Sequence, residues 1–209
     1  MHKVDPKLLP VESNFLSIER DMYLILHKLF EERPNVAEAL KRLLVINHKQ
    51  SIQKIDDKYV LNESNSEIVK QVLDMELPDL MEEGYVKIVP KIPLPEHEKV
   101  RSYIVVNMDD FMPNGTNPQY RDCIVSFNIV CHPECWNLYD YQLRPFKIAG
   151  YIDAVLNNAK LTGIGTFQFL GCNQFVLDDN FSGYRLSYMA VHGSDDWLPG
   201  ETYKGPGAE

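Results

Sequence analysis

Three of the four cysteines lie close together in the segment CIVSFNIVCHPECWN (123–137), beside a histidine and a glutamate. Thiolate and imidazole groups bind zinc, and closely spaced thiols also carry redox chemistry. Apolar and polar residues nevertheless alternate here, which is typical of a half-buried β-strand. A strand rises about 3.3 Å per residue, so the sulfur atoms of Cys123 and Cys131 would lie roughly 26 Å apart and could not bind one metal ion. The predicted strand face consists of Cys123, Val125, Phe127, Ile129 and Cys131.

The other groups with metal-binding side chains also have ordinary structural interpretations. The fragment from Cys131 to Cys135 lacks the second ligand pair of a structural zinc site, because Cys172 stands alone in the sequence. His192 is followed by two aspartates, but no third ligand is spaced to complete a shell for a hard metal ion. We interpret His192 as the end of a strand that runs into a polar tail.

Motifs for catalysis are equally weak. The glycines of LTGIGTFQFLG (161–171) precede a predicted strand, whereas a phosphate-binding loop follows a strand and opens a helix. The acidic pairs at 109–110 and 178–179 are common at strand ends, although two such carboxylates could act as general acid and base. We therefore predict no catalytic residues, no cofactor and no metal site. A small enzyme that uses an acidic pair or the CHPEC fragment remains an alternative.

Composition narrows the class of protein further. The chain has 209 residues, with 21 basic and 30 acidic side chains and a net charge of −9. No basic cluster is interleaved with aromatic residues, so a protein that grips a nucleic-acid backbone is not expected. No apolar run reaches the length of a membrane span, and the start MHKVDPKLLPVESN has no signal-peptide core. Four cysteines without a paired framework suit a reducing compartment.

Hydrophobic periodicity predicts helices in the first part of the chain and strands in the second. The first helix is capped by Ser13 or Asn14, and its apolar stripe runs from Phe15 to Leu29; the second is capped by Asn35. Segment 47–64 is polar and is predicted as a surface excursion. The predicted helices are 15–30, 35–46, 66–81 and 144–158, and the predicted strands are 85–92, 101–111, 121–131, 165–177 and 183–192.

This order of elements predicts an α+β fold. A mixed, mainly antiparallel sheet carries one helix on one face and is preceded by N-terminal helices. The apolar stripe of the sheet-packed helix is predicted as Phe146, Ala149, Ile152, Val155 and Leu156. We predict a single domain over 1–193, with a helical part at about 13–82 and a sheet part at about 84–193. Residues 194–209 have few apolar groups and are predicted to form an extended C-terminal arm.

The region from about Tyr120 to Asp196 resembles the neck proteins of tailed bacteriophages, the head–tail joining and tail-terminator group. The shared pattern is a strand, an Arg-Pro-[FY] helix opening at Arg144, and Ile-[AG]-x-x-Ile-Asp-x-x-[LI]-Asn at 148–157. A paired hairpin follows and ends near a His-Gly or acidic turn. The resemblance implies a tail-terminator-like fold without catalytic residues.

The resemblance also implies partners and a location. The chain would form a ring of identical subunits, six- or twelve-fold, between the portal or adaptor ring on the head side and the tail proteins on the other. Viral DNA would pass through without specific binding, since an acidic wall repels it. The protein would occur in the virion neck, and in the host cytoplasm during assembly, without contacting a membrane. A phage-encoded binding or inhibitor module is a further alternative.

Several polar and aromatic residues are candidates for contacts between subunits or rings. Asp153 follows Ile152 on the helix and should point away from the core, so Asp153→Ala is expected to spare folding and disturb assembly. Trp197 is predicted to anchor the C-terminal arm on an adjacent subunit, since tryptophan is enriched at interface hot spots. The polar loop MPNGTNPQY (112–120) is expected to become ordered against a neighbouring ring. The predicted interface residues are Arg144, Asp153, Asn114, Asn117, Trp197 and Tyr203.

Overall fold

A computed structural model describes residue 15 and residues 18–46, 52–55, 58–61, 66–88, 100–116, 120–138 and 142–193, with the backbone alone at 52–55, 58–61 and 66. The helices in this part are α1 (Ile18–Phe30), α2 (Pro34–Val45), α3 (Ser66–Asp74), α4 (Leu77–Glu82) and α5 (Arg144–Leu156). The strands are β1 (Ile52–Ile55), β2 (Lys58–Leu61), β3 (Val86–Lys87), β4 (Ser102–Pro113), β5 (Arg121–Cys131), β6 (Lys160–Leu161), β7 (Gly165–Thr166), β8 (Gln168–Val176) and β9 (Ser182–His192).

The N-terminal helices differ from their predicted bounds for local reasons. The described part of α1 begins at Ile18, and Phe15, predicted on its apolar stripe, is 59% exposed. The predicted Asn35 cap of α2 is wrong: Arg33 is the N-cap and Pro34 the first helical residue, a position where proline loses no hydrogen bond. The predicted caps Ser13 and Asn14 lie outside the described residues.

The predicted helix 66–81 is two helices. Pro78 fits the first turn of a helix but not its interior, so α3 ends at Asp74 and α4 begins at Leu77. Segment 47–64, predicted as a polar excursion, contains the antiparallel hairpin of β1 and β2. In the described part of the chain, no helix has the length and apolar character that crossing a membrane requires.

The main sheet has the strand order β3-β4-β5-β9-β8. Only β3 and β4 run parallel, and the other neighbours are antiparallel, which confirms the predicted α+β fold with a mixed, mainly antiparallel sheet. Within the predicted strand 85–92, pairing covers Val86 and Lys87 in the described part, and residues 89–92 lie outside the described residues. A bulge between Asp109 and Met112 bends the end of β4.

One face of the sheet carries the main core. Helix α5 packs on β5 and β9, while α1 and α2 complete the layer. The alternating face predicted for β5 is confirmed, since Cys123, Val125, Phe127, Ile129 and Cys131 are all buried. Ile152 of α5 is buried as predicted, whereas Phe146 of the predicted stripe is 49% exposed. Ile148, which the stripe did not include, is buried one helical turn from Ile152.

The opposite face of β5 is less exposed than expected for the half-buried strand that the sequence pattern predicts. Ser126 and Asn128 are buried, although they lie on the face opposite the main core. Ser126 Oγ lies 3.2 Å from Ser187 Oγ, and Arg185 Nε donates to Asn128 Oδ1 at 2.8 Å. A small aromatic cluster covers one end of this face: Tyr103, Val105, Val130 and Phe181. The face is therefore polar at its centre and apolar at one end.

Candidate functional site

The cysteine-rich segment folds into a buried thiol pair. Strand β5 ends at Cys131, and a 3-10 turn over Pro133–Cys135 returns Cys135 to its side. Cys135 Sγ lies 3.1 Å from the His132 carbonyl oxygen and 3.2 Å from Ser102 Oγ. A hydrogen bond from the Cys131 thiol lowers the pKa of Cys135 to about 6, with further help from Ser102. Desolvation raises the pKa of Cys131 well above its ordinary value.

A substrate has no access to these two thiols. Cys131 and Cys135 are both almost fully buried. In the described ranges, no group of three or more histidine, cysteine or acidic side chains is placed to bind a metal ion. Cys123 lies at the other end of β5, and burial raises its pKa to about 12. The only exposed thiol among the four cysteines is Cys172, on β8.

Arg144, predicted at a subunit interface, lies in the interior of its own subunit. Its side chain is buried, and Nε donates to the Cys135 carbonyl oxygen at 2.6 Å. Its Nη1 atom donates to the Leu43 carbonyl oxygen of α2. A buried guanidinium requires partners, and these carbonyl groups supply them. The structure therefore gives Arg144 an internal position, joining α5, α2 and the thiol turn, in place of a direct interface contact.

Asp153 lies half-buried at the surface of α5. Its Oδ1 atom accepts a hydrogen bond of 2.8 Å from the buried hydroxyl of Tyr188 on β9. Burial raises the pKa of Tyr188, and the hydrogen bond to Asp153 raises it further. Asp153 therefore connects helix and sheet, which the pattern of α5 alone did not indicate.

Asn114 holds the start of the loop after β4. Its Nδ2 atom donates to Asp122 Oδ1 at 2.7 Å, and its Oδ1 accepts from the Thr116 backbone at 2.9 Å. Asn117, Trp197 and Tyr203 lie outside the described residues. The three predicted interface residues that the structure describes, Arg144, Asp153 and Asn114, lie at separate places and do not form one site.

Asp21 and His192 form a buried pair that the sequence patterns did not predict. His192 Nδ1 lies 2.7 Å from Asp21 Oδ2, and both side chains have no exposed surface. Arg20 Nη2 reaches the other Asp21 oxygen at 3.3 Å from a half-exposed position. The sequence contains one indication of this pair, because Asp21 falls on the apolar face of α1, one turn from Ile25, where a charged side chain needs a buried partner. The pair joins α1 to the last strand and has no exposed surface with which to meet a substrate.

A groove runs along the outer side of α5 and is named here the α5 groove. It is lined by Gln142, Leu143, Phe146, Lys147, Gly150, Tyr151 and Ala154. A second depression, between α5 and α2, shares Gln142, Lys147 and Tyr151 with it. The α5 groove is apolar at its floor, polar at its rim and open to solvent, as befits a surface for an extended chain rather than an enclosed reaction site.

A protein-family model described as YomW matches residues 37–190. The matched range runs from α2 to Ala190 of β9 and includes the thiol pair, Arg144, Asp153 and the α5 groove. Asp21, His192 and the C-terminal segment lie outside it. No curated protein matches the chain.

Proposed function

Because the chain belongs to the YomW family, which takes its name from a phage-derived Bacillus gene, we propose that this phage-related protein is a structural component of the phage neck. In this proposal identical subunits form a ring of six or twelve copies. The ring lies between the portal or adaptor ring and the tail proteins and joins head to tail. The resemblance of residues 120–196 to neck proteins supports this role.

The open edge of the main sheet carries the proposal. In the described part of the chain, strand β8 is the last strand of the sheet, and most of its residues are exposed. Its sequence QFLGCNQFV holds no charged residue and no proline. Unpaired edge strands without such protection pair readily with other chains. Leu170 and Val176 add apolar surface, with exposed fractions of 51% and 72%. These features favour self-association through β8.

The opposite edge of the sheet is protected. Strand β3 covers only two residues of β4, and the rest of β4 carries Asp109 and Asp110. The bulge that begins at Asp109 and the left-handed backbone of Asp110, with φ of 53°, bend this edge out of the plane of a regular strand. Charges and bulges prevent edge-to-edge pairing. Strand β8 also has an irregularity, between Phe169 and Gly171, so the two edges differ in charge and not in the presence of a bulge. This difference in charge supports a specific role for β8.

We propose that the polar sheet face turns toward the DNA channel. Its central side chains bond to one another, as Ser126 does with Ser187 and Arg185 with Asn128. Side chains that already have partners offer few groups to the phosphate backbone. Asp109 and Arg185 lie close enough to interact, so the described wall is mixed in charge, while the whole chain at −9 still repels DNA. DNA would slide past without specific binding.

The mass of the purified protein in solution tests this function. Size-exclusion chromatography with light scattering should give six or twelve subunits, and Leu170→Lys should reduce the mass to that of smaller species. Ile68→Lys is the matched control, because Ile68 is equally exposed, at 50%, but lies on α3. A monomer at high concentration, or a ring unchanged by Leu170→Lys, would contradict self-association through β8. A monomer would favour the binding or inhibitor alternative.

A further inference from the structure

The α5 groove has an apolar floor with a notch in it. The Phe146 ring is half-exposed and lies 4.4 Å from the Tyr184 ring. One turn along the helix, Gly150 has no atom within 4 Å of the place where a Cβ would stand. Ala154 follows one turn later, so a strip of aromatic and small side chains faces solvent. A planar aromatic side chain fits such a strip.

The rim of the groove is basic on an otherwise acidic protein. Lys147 is exposed and follows Phe146 in the chain. Arg33 is also exposed, and its Nη1 atom donates a hydrogen bond of 3.1 Å to the Ala154 carbonyl oxygen. Arg42, in the adjoining depression, is paired with Glu38. The groove therefore presents two cationic groups to an occupant. An anionic, aromatic segment is the complementary chemistry.

The C-terminal segment SDDWLPGETYKGPGAE (194–209) has that chemistry. It carries four acidic residues and one lysine, and two of the acids directly precede Trp197 and Leu198. Its two prolines restrict the free chain, which reduces the entropy lost when an extended segment binds. Both the charge and the aromatic group of this segment match the α5 groove.

We propose that residues 194–209 of a neighbouring copy lie in the α5 groove, with Trp197 on Phe146 and Gly150 and the preceding aspartates beside Lys147 and Arg33. This inference rests on the proposed function, because it requires a second copy. It adds a second contact between adjacent subunits of the ring, beside the one through β8.

The length of chain between His192 and Trp197 favours a neighbouring copy over the same chain. The Phe146 ring contacts Tyr184 of β9. Tyr184 is eight residues before His192 on this strand, a distance of about 27 Å. Trp197 lies five residues beyond His192 and reaches at most about 18 Å from it. With a fully extended backbone, the Cα of Trp197 on the same chain stops about 9 Å short of Phe146, so contact would require a straight arm and an outstretched indole. A neighbouring copy can place Trp197 there without that constraint.

Titration of a synthetic 194–209 peptide tests the contact. Calorimetry would use protein truncated after Gly193, with its fold checked by circular dichroism. The peptide should bind, and Gly150→Glu should weaken binding at least about tenfold, since it fills the notch and adds a negative charge. A Trp197→Ala peptide should lose affinity to a similar extent. Gly115→Glu is the matched control, since Gly115 is equally open but lies in the loop after β4; it should bind like the parent.

The outcomes separate this inference from the ring. Undetectable binding, or equal binding to the Gly150→Glu protein, would overturn the groove assignment, and a ring that keeps its mass after truncation would leave the proposed function intact. Specific peptide binding by a protein whose full-length form stays monomeric would support the groove as the receptor and overturn the ring.

Discussion

Replacing Asp21 with alanine should lower the free energy of unfolding by about 1–3 kcal/mol, the usual cost of leaving a buried hydrogen-bonding group without its partner. The magnitude follows from geometry. The Asp21 carboxylate lies 2.7 Å from the His192 imidazole, and neither side chain is exposed to solvent. Water therefore cannot replace the lost carboxylate. The bond joins residues 171 positions apart, so its loss also loosens α1 from β9.

Urea unfolding followed by circular dichroism would measure this cost. Asp21→Asn keeps the size and one acceptor oxygen, so it should cost less, about 1–2 kcal/mol. Arg20→Ala is the control for the exposed ion pair on the same carboxylate and should cost about 0–1 kcal/mol, because solvent screens a half-exposed charge. A double-mutant cycle with His192→Gln should give a coupling energy of about 1–3 kcal/mol.

A loss below about 1 kcal/mol for Asp21→Ala would refute the reasoning, because a desolvated carboxylate–imidazole bond cannot be so weak if it forms as described. Additive single mutants would be equally damaging, since they would show that the two side chains act independently.

Four further substitutions test the packing and the thiol chemistry. Ile152→Ala should cost about 2–5 kcal/mol in urea unfolding, because the side chain has no exposed surface; a loss under about 1 kcal/mol would show that the phase of α5 is wrong. Asp153→Ala was expected from the sequence to spare folding, but it should cost about 1–3 kcal/mol because it leaves the buried Tyr188 hydroxyl without its acceptor. An unchanged midpoint of urea unfolding would restore the original expectation. Gly183→Ala should prevent stable folding, since its Cβ would stand 1.7 Å from a carbonyl oxygen of β5; soluble, native-like protein would contradict that register. The pKa of Cys135 falls from 9.0 to about 6 on folding, so its thiolate contributes stability that is complete above pH 9 and is lost as the pH falls through 6. Cys135→Ser should therefore be more destabilising at pH 8 than at pH 6, and an equal loss at both would exclude the low pKa.

Sequence patterns correctly predicted the features that depend on residues close together in the chain. The alternation from Cys123 to Cys131 identified both the strand and its buried face, because a strand's side chains point to opposite faces with period two. The helix opening at Arg144 and Pro145 was also correct, since proline at the first turn is a local signal.

Contacts between distant segments decided the rest. His192 was interpreted as the end of a strand, and its buried partner Asp21 is 171 positions away in the chain, so only the fold brings the two together. Arg144 became internal because the Leu43 carbonyl of α2 supplies a partner, which no pattern within α5 reveals. Phe146 has helical spacing from the core residues, but it lies at the edge of α5, where the ring contacts Tyr184 and remains half in solvent. The unprotected edge of β8 emerged only when the strand order was known.

Electron microscopy of purified virions with this subunit labelled tests the central claim most directly. A fusion or antibody label should appear only at the junction of head and tail, arranged as one closed ring of six or twelve copies around the DNA channel. Complete, infectious particles that lack the label and the polypeptide would contradict a structural role in the neck.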